Sequence, residues 1–428
     1  MQLREQFPQL PEPLLWKTEL MFRGVRFTPA LAEAAAEGAA PNFWPYKRPD
    51  GHGNTESIPV PYLFHLAGGG VARVRVHDQG HFEVRRAPGA TAFTLYDGDE
   101  PLCDVEFVRR HAWQDFRTHD GLTPLESGVE QLGDMVVVNV APGCEYFRAN
   151  EGGHSLRCTY CGYGRFDQRA RRLGQHAGQV DLDPAALARL AEVLRIVVDQ
   201  AEVHHIYITG GSTLDPADET RRYLPLVETV RRTVGDRLRV TLGSGAVDPP
   251  DSRRLHDAGA DSACYNLEVW DPATFAVACP GKHLYVGRAR WLDALDGAVE
   301  AFGRGNVASA MVAGLEVRPP APGMTGDQML ASILEGARYF LDRCIMPVYS
   351  PLWPVPGTSY GPTDGISPAQ YLELEHAFYQ LRAARNFPIP DWLLCPGCAY
   401  MMLEVDFDYV FGLGTHPEHD HRHGADAA

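Results

Sequence analysis

Several features are missing from this chain, and each absence closes off a class of function. No apolar stretch approaches the ~20 residues that a membrane-crossing helix needs, so no membrane partner is expected. Lysine and arginine number 39 against 55 aspartates and glutamates, a net charge of −16. No basic stripe interrupts that balance, and the electrostatic footprint of a nucleic-acid binder is absent. The opening, MQLREQFPQLPEP, lacks the apolar core of a signal peptide. Nine cysteines, odd in number and partly clustered, suit metal ligation in a reducing compartment better than a secreted disulfide framework. A cytoplasmic location is the expectation. No His-x-His or His-Glu-x-x-His grouping stands at a predicted strand end, which argues against a zinc hydrolase on a barrel.

What is present falls into zones. At 428 residues the chain exceeds the usual single core. Its first 60 residues are rich in proline, alanine and aromatics, with one helix expected near Pro29 to Glu37. From Val71 to Val108 the runs VARVRVH, HFEVRR, TAFTLYD and LCDVEFV, separated by turn signals at Gly80, Pro88-Gly89 and Asp97-Gly98, predict an antiparallel meander. After about residue 130 strand and helix alternate. Strands are expected at Met135 to Val140, Val203 to Thr209, Leu238 to Leu242, Ser262 to Leu267, Val307 to Ala313 and Ile345 to Ser350. The helix opened by Asp183-Pro184 puts Leu187, Leu190, Val193, Leu194 and Val197 on one face. Others are expected near Glu219 to Val234, Pro250 to Ala258, Gly287 to Gly303 and Gly326 to Asp342. Six strands with five connecting helices predict an α/β fold, a partial (β/α)6 TIM-like barrel. The expected division is a small β-rich N-terminal domain at 1–130, the barrel at 131–365, and a C-terminal extension at 366–428.

The stretch from Cys144 to Gly164, CEYFRANEGGHSLRCTYCGYG, organises this core. It leaves the carboxyl end of the first barrel strand, the end where chemistry is done in parallel α/β folds. Cys144, Cys158 and Cys161 are thiolate ligands in search of a metal, and a closed structural zinc normally takes four protein ligands. Two readings follow. His154 completes a zinc knuckle, or the three cysteines hold a 4Fe-4S cluster with one iron left open.

The piece Cys158-Thr159-Tyr160-Cys161 resembles the end of the cluster motif of radical S-adenosylmethionine enzymes. That family uses the open iron to bind the amino and carboxylate groups of S-adenosylmethionine. The first gap of the motif is commonly three residues, and here thirteen separate Cys144 from Cys158. Three further matches follow on successive βα units. Gly210-Gly211-Ser212-Thr213 stands where the family places a Gly-Gly-Glu that binds the amino group of the cofactor, with Ser212 in place of the glutamate. Tyr265-Asn266-Leu267-Glu268 is similar to a strand end of biotin synthase, which implies ribose contacts for Asn266 and Glu268. Met311 to Glu316 is similar to the glycine-rich strand end flanking adenine, which implies that Val312 and Gly314 border the base. The resemblance covers roughly residues 131–350. It implies a radical enzyme that reductively cleaves S-adenosylmethionine and abstracts hydrogen from a small polar metabolite, with an electron donor such as flavodoxin or ferredoxin. For each segment an ordinary turn or strand end is the plainer alternative.

Around these pieces Lys282, Arg288 and Arg290 offer cations for a carboxylate, or simply a charged helix face. Leu352 to Thr358 is a proline-stiffened lid candidate. Cys395-Pro396-Gly397-Cys398 has thiolate-ligand spacing and is read as metal-binding, an auxiliary iron–sulfur cluster with Cys344 or Cys279 being one form of it. Half a zinc site and a redox dithiol are the others. His416, His419, His421 and His423 make a histidine-rich tail with the ligands for a transition metal, expected instead to be disordered with incidental histidines. The competing function is a non-catalytic zinc or iron–sulfur protein that binds a partner through its β domain.

Overall fold

The computed structural model describes residues 2–41, 45–49, 55–141, 143–147, 150–151, 154–162, 182–353, 355, 358–360 and 365–413, with backbone alone at 2, 150, 151 and 154. The tail histidines, the side chain of His154, and Pro354, Pro356 and Gly357 of the lid candidate lie outside these residues. Two compact units divide the chain: Met1–His111 with Leu393–Ala428, and Ala112–Trp392.

The first unit is built on a six-stranded sheet ordered Val25–Arg26, Phe82–Arg85, Phe93–Asp97, Glu100–Phe107, Leu63–Leu66, Val71–Arg73. The last three of the four predicted runs form an antiparallel meander in its middle, whereas Val71–Arg73 pairs with Leu63–Leu66 at the far edge, and alternate residues such as Phe82, Val84, Phe93 and Leu95 point into the core. The sequence-based boundaries at 130 and 365 differ from this division at both ends. Residues from 393 belong here because Lys17, fully buried, donates 3.0 Å to the Ala399 carbonyl and pairs at 2.6 Å with Asp406. Residues 366–392 stay with the barrel because their helix, Pro368–Ala383, buries Tyr371, Leu372, Leu374 and Phe378. Tyr371 donates 2.9 Å to the Tyr349 carbonyl of a barrel strand.

The second unit holds the barrel. Its parallel strands are β1 (Met135–Ala141), β2 (His205–Gly210), β3 (Arg239–Ser244), β4 (Ser262–Tyr265), β5 (Val307–Ala313) and β6 (Met346–Pro351), side by side in chain order, with Val129–Leu132 antiparallel on the outer edge of β1. The helices between them are α1 (Pro184–Gln200), α2 (Pro216–Val234), α3 (Pro249–Asp257), α4 (Pro272–Ala278), α5 (Arg288–Phe302) and α6 (Gly326–Asp342). This is the partial TIM-like barrel expected from the sequence. The first four helices each begin on Asp-Pro. Proline suits the first helical position, where its missing N–H costs nothing, and aspartate caps the freed donors. Asp183, Asp215 and Asp271 accept from Ala185, Ala217 and Thr274 N–H at 2.9, 3.0 and 2.6 Å. On α1 the buried face is Ala186, Leu190, Val193, Leu194 and Val197, with Leu187 at its margin.

One irregularity matters for the site. β1 pairs in register with β2 as far as Val138 and Ile208, then a bulge sets Ala141 opposite Gly210. The two strand ends therefore finish side by side, and the loops carrying Cys144 and Gly211 leave from the same place.

Candidate metal and cofactor centre

The Cys144 loop and the glycine loop are joined at backbone level. Glu145 N–H donates 2.8 Å to the Ser212 carbonyl, and Leu214 N–H donates 2.8 Å to the Glu145 carboxylate. The contact is so close that a methyl group built on Gly211 would lie 2.3 Å from Cys144 Cβ and 2.4 Å from the Gly143 carbonyl. Gly210 is hemmed in likewise, with the Ala141 carbonyl 2.7 Å from such a methyl. The glycines are thus required for packing against the cysteine loop. The N–H groups of Ser212 and Tyr146 serve the Cys144 sulfur as hydrogen-bond donors. Burial pushes the Cys144 thiol up to about 11, and these two donors act in the opposite direction.

Beneath the loops lies a staple that the sequence reading missed. Arg222 of α2, buried, donates to the Gly143 carbonyl at 3.3 Å and to the Gly211 carbonyl. Glu219, one turn earlier, accepts from Thr213 N–H at 2.9 Å, and burial raises its pKa although Arg222 stands beside it. Thr213 is buried and its hydroxyl donates 2.8 Å to the Asp215 carbonyl, so both its polar groups hold the loop. A glutamate and an arginine three residues apart on a helix ordinarily pair with each other in solvent, so no sequence signal marked these two.

The other two cysteines are held from a different wall. Cys161 N–H donates 3.1 Å to the Cys158 carbonyl in a tight turn, and Thr159 N–H donates 2.8 Å to the Ala278 carbonyl at the end of α4. The next residue, Cys279, is fully buried and hydrogen-bonds the Cys158 side chain, while Tyr160 Oη lies 3.9 Å from Cys279 Sγ. That thiol, then the nearby Lys282, hold Cys158 below the ordinary thiol range against the effect of burial. Cys344, by contrast, precedes β6 with φ +63° and so lies at the opposite end of the barrel strands.

Thirteen residues separate Cys144 from Cys158, yet the chain between them returns on itself. Asn150–Glu151 pairs antiparallel with His154–Ser155, and the stems of this hairpin, Tyr146 and Leu156, meet over Gly281. Gly281 N–H donates 2.9 Å to the Leu156 carbonyl.

At the end of β4, Asn266 Oδ1 accepts from Ala310 N–H at 3.1 Å. Glu268 adopts φ +77° and bridges to β5, donating 3.1 Å to the Ala310 carbonyl and accepting 2.7 Å from Val312 N–H. Gly314, at φ +106°, lies against the backbone of Gly365 and Ile366, 2.8 Å from a methyl built on it. Of the three cations, Lys282 lies inside, 2.7 Å from both Glu268 Oε1 and the Asn266 carbonyl. Arg288 instead donates to the Trp270 carbonyl and lies over its ring, and Arg290 pairs with Asp248 on the surface. Cys395 and Cys398 sit on a turn of the first unit, where Cys398 N–H donates 3.0 Å to the Cys395 carbonyl.

The donor chemistry fits an iron–sulfur cluster. One thiol receives two backbone N–H groups, a second receives a thiol and stands near a buried ammonium, and such outer donors are what tune cluster sulfurs. No family model matches the chain. Over 277 residues it is 24% identical to bacteriochlorophyllide c C-7(1)-hydroxylase of Chlorobaculum limnaeum, covering 61% of this chain and 63% of that protein. The chain therefore spans less than two thirds of that relative. Among solved structures, the FeFe-hydrogenase maturase HydG of Carboxydothermus hydrogenoformans aligns over 58% of this chain and 51% of its own, at 15% identity and a TM-score of 0.39. A radical SAM methyltransferase of Sphaerobacter thermophilus aligns over 84% and 80%, at 14% identity and a TM-score of 0.39. Among the described residues no helix is long and apolar enough to cross a membrane.

Proposed function

We propose that this chain is a radical S-adenosylmethionine enzyme in which Cys144, Cys158 and Cys161 hold a 4Fe-4S cluster. The observation that carries the reading is the pair of backbone donors on Cys144, supplied through a glycine loop that leaves Gly211 no room for a side chain. When bound, the cluster and S-adenosylmethionine supply reductive cleavage of the sulfonium and a 5'-deoxyadenosyl radical that abstracts hydrogen. The chain's own residues position the cofactors. Tyr160 stands beside the second and third ligands. Gly210, Gly211, Ser212 and Thr213 form the loop facing the amino-acid end, Asn266 and Glu268 take the ribose, and Val312 and Gly314 border the adenine. The substrate is a small polar metabolite reached from the carboxyl ends of the strands, and the reducing electron comes from a flavodoxin or ferredoxin. Cys279 stays outside the ligand set as a hydrogen-bond donor. In the first unit, Cys395 and Cys398 are proposed as metal ligands, an auxiliary iron–sulfur cluster being one form.

The test is anaerobic reconstitution with iron and sulfide, reduction with dithionite, addition of S-adenosylmethionine, and chromatography for 5'-deoxyadenosine. About four irons per chain are expected for one cluster and about eight if the second pair binds another. Cys158→Ser and Cys161→Ser abolish product, whereas Cys279→Ala retains iron and product. Tightly held zinc with no cleavage would move the protein to a metal-binding module. Loss of iron from Cys279→Ala would make the site a closed four-cysteine one.

A further inference from the structure

The ammonium of Lys282 is fully committed. Its Nζ donates 2.7 Å to the Asn266 carbonyl and 2.7 Å to Glu268 Oε1, and lies 4.4 Å from the centre of the Trp291 ring. A lysine has three N–H groups, and these two oxygens and one π face occupy them. Its side chain is 6% exposed. Burial alone would lower its pKa, but the Glu268 carboxylate, followed by the Cys158 and Cys279 thiols, holds it above the ordinary lysine range. This lysine is therefore not a free cation awaiting an anionic ligand.

Glu268 is the more open member, its side chain 17% exposed. Its backbone at φ +77° is a left-handed conformation that strains a residue with a Cβ and persists where surroundings over-determine it. The surroundings here are two backbone hydrogen bonds to β5 and the Lys282 pair. With Oε1 taken by Lys282, Oε2 is the oxygen left to meet a ligand. We infer that Lys282 is a positioning residue, which fixes Glu268 so that Oε2 accepts a hydrogen bond from a ribose hydroxyl of the bound nucleoside. The inference rests on the S-adenosylmethionine reading above and adds to it the residue that orients its ribose acceptor.

The test uses the cluster-loaded protein and three probes: S-adenosylmethionine, 5'-deoxyadenosine, which has the ribose diol without the amino acid, and L-methionine, which lacks the ribose. Lys282→Met and Glu268→Gln are each expected to weaken the two ribose-bearing probes about 10-fold or more, the size of one charge-assisted hydrogen bond. Compared at equal iron content, L-methionine binding stays unchanged. The double variant is expected to be no worse than Glu268→Gln, since one group acts through the other. Losses that add in the double variant, an equal loss for L-methionine, or unchanged affinity in Lys282→Met would each overturn the inference. Lys282→Gln, which keeps a donor for the Asn266 carbonyl without the charge, carries the same comparison should Lys282→Met lose its iron. Failure of the unsubstituted protein to bind S-adenosylmethionine would overturn the functional reading itself, before any variant is made.

Discussion

Gly211 is the position where one added carbon separates the proposed site from an ordinary strand-to-helix turn. In Gly211→Ala the new methyl would lie 2.3 Å from Cys144 Cβ, 2.4 Å from the Gly143 carbonyl and 2.6 Å from Cys144 Cα. Ordinary contact begins near 3.4 Å, so the Cys144 loop must recede by about 1.1 Å. None of these atoms is the far end of a flexible side chain, so the strain cannot be relieved by a rotamer change. Overpacking of this kind costs ~1–3 kcal/mol. Retreat also pulls on the Glu145 to Ser212 bond at 2.8 Å and takes Cys144 away from its two N–H donors. Thermal denaturation of the metal-free protein should show a lower Tm, by roughly 2–4 °C per kcal/mol for a unit of this size. Iron bound after anaerobic reconstitution should fall in the same variant. An alanine at 211 with unchanged Tm and a full complement of iron would refute the close approach and, with it, the role given to the glycine loop.

Two further outcomes are expected. A methyl at Gly281 would lie 2.4 Å from the Tyr146 ring and 2.5 Å from the Leu156 carbonyl, so Gly281→Ala should part the hairpin stems and lower iron retention, measured by counting iron after gel filtration. Glu316 is buried, and burial raises its pKa to about 7 against the pull of the Glu316 and Gly314 backbone N–H groups. A carboxyl raised from 4.5 in the unfolded chain to about 7 in the fold keeps an extra proton in the native state across that window. Stability therefore falls as pH rises from about 4.5 to about 7, by roughly 3 kcal/mol in all, and is flat outside. Denaturant melts at several pH values should show that slope weakened in Glu316→Gln, and an unchanged slope would assign it elsewhere.

Much of the barrel could be read directly because its signals are local. The Asp-Pro start at Pro184, the apolar periodicity and runs such as MVVVNV placed five of the six barrel helices and all six strands to within a few residues. The elements not read share a different character. The helix Glu12–Arg23 is buried continuously from Leu14 to Phe22, including Lys17 and Glu19, so it has no polar face to set a period. The short helix Pro272–Ala278 carries an Asp-Pro start but has too few turns for a stripe. Leu63–Leu66 gains its place in the sheet by pairing with Glu100–Phe107, a partner far along the chain. At the site, the cysteines and glycines announced themselves by type and spacing. Glu219 and Arg222 did not, and Lys282 and Cys279, named as a cation for a carboxylate and a partner for Cys395 and Cys398, took their places beside Glu268 and Cys158 only through burial against distant segments.

The long first gap of the cysteine motif follows from how the thiols are held. In a motif with a three-residue gap, one loop must both present all the thiols and keep their spacing. Here Cys144 is fixed by the β2 loop, through Gly211 and the Ser212 N–H, whereas Cys158 is fixed by the end of α4, through Ala278 and Cys279. Each thiol takes its position from a separate wall of the barrel, and the connecting chain need only close. The hairpin closes it, with Tyr146 and Leu156 brought together on Gly281. Loop-closure cost grows only with the logarithm of length, so ten added residues are tolerated once both ends are anchored. The spacing that departs most from the motif is thus the one the fold constrains least, while Gly211 and Gly281, which carry no chemistry, are constrained to within a methyl group.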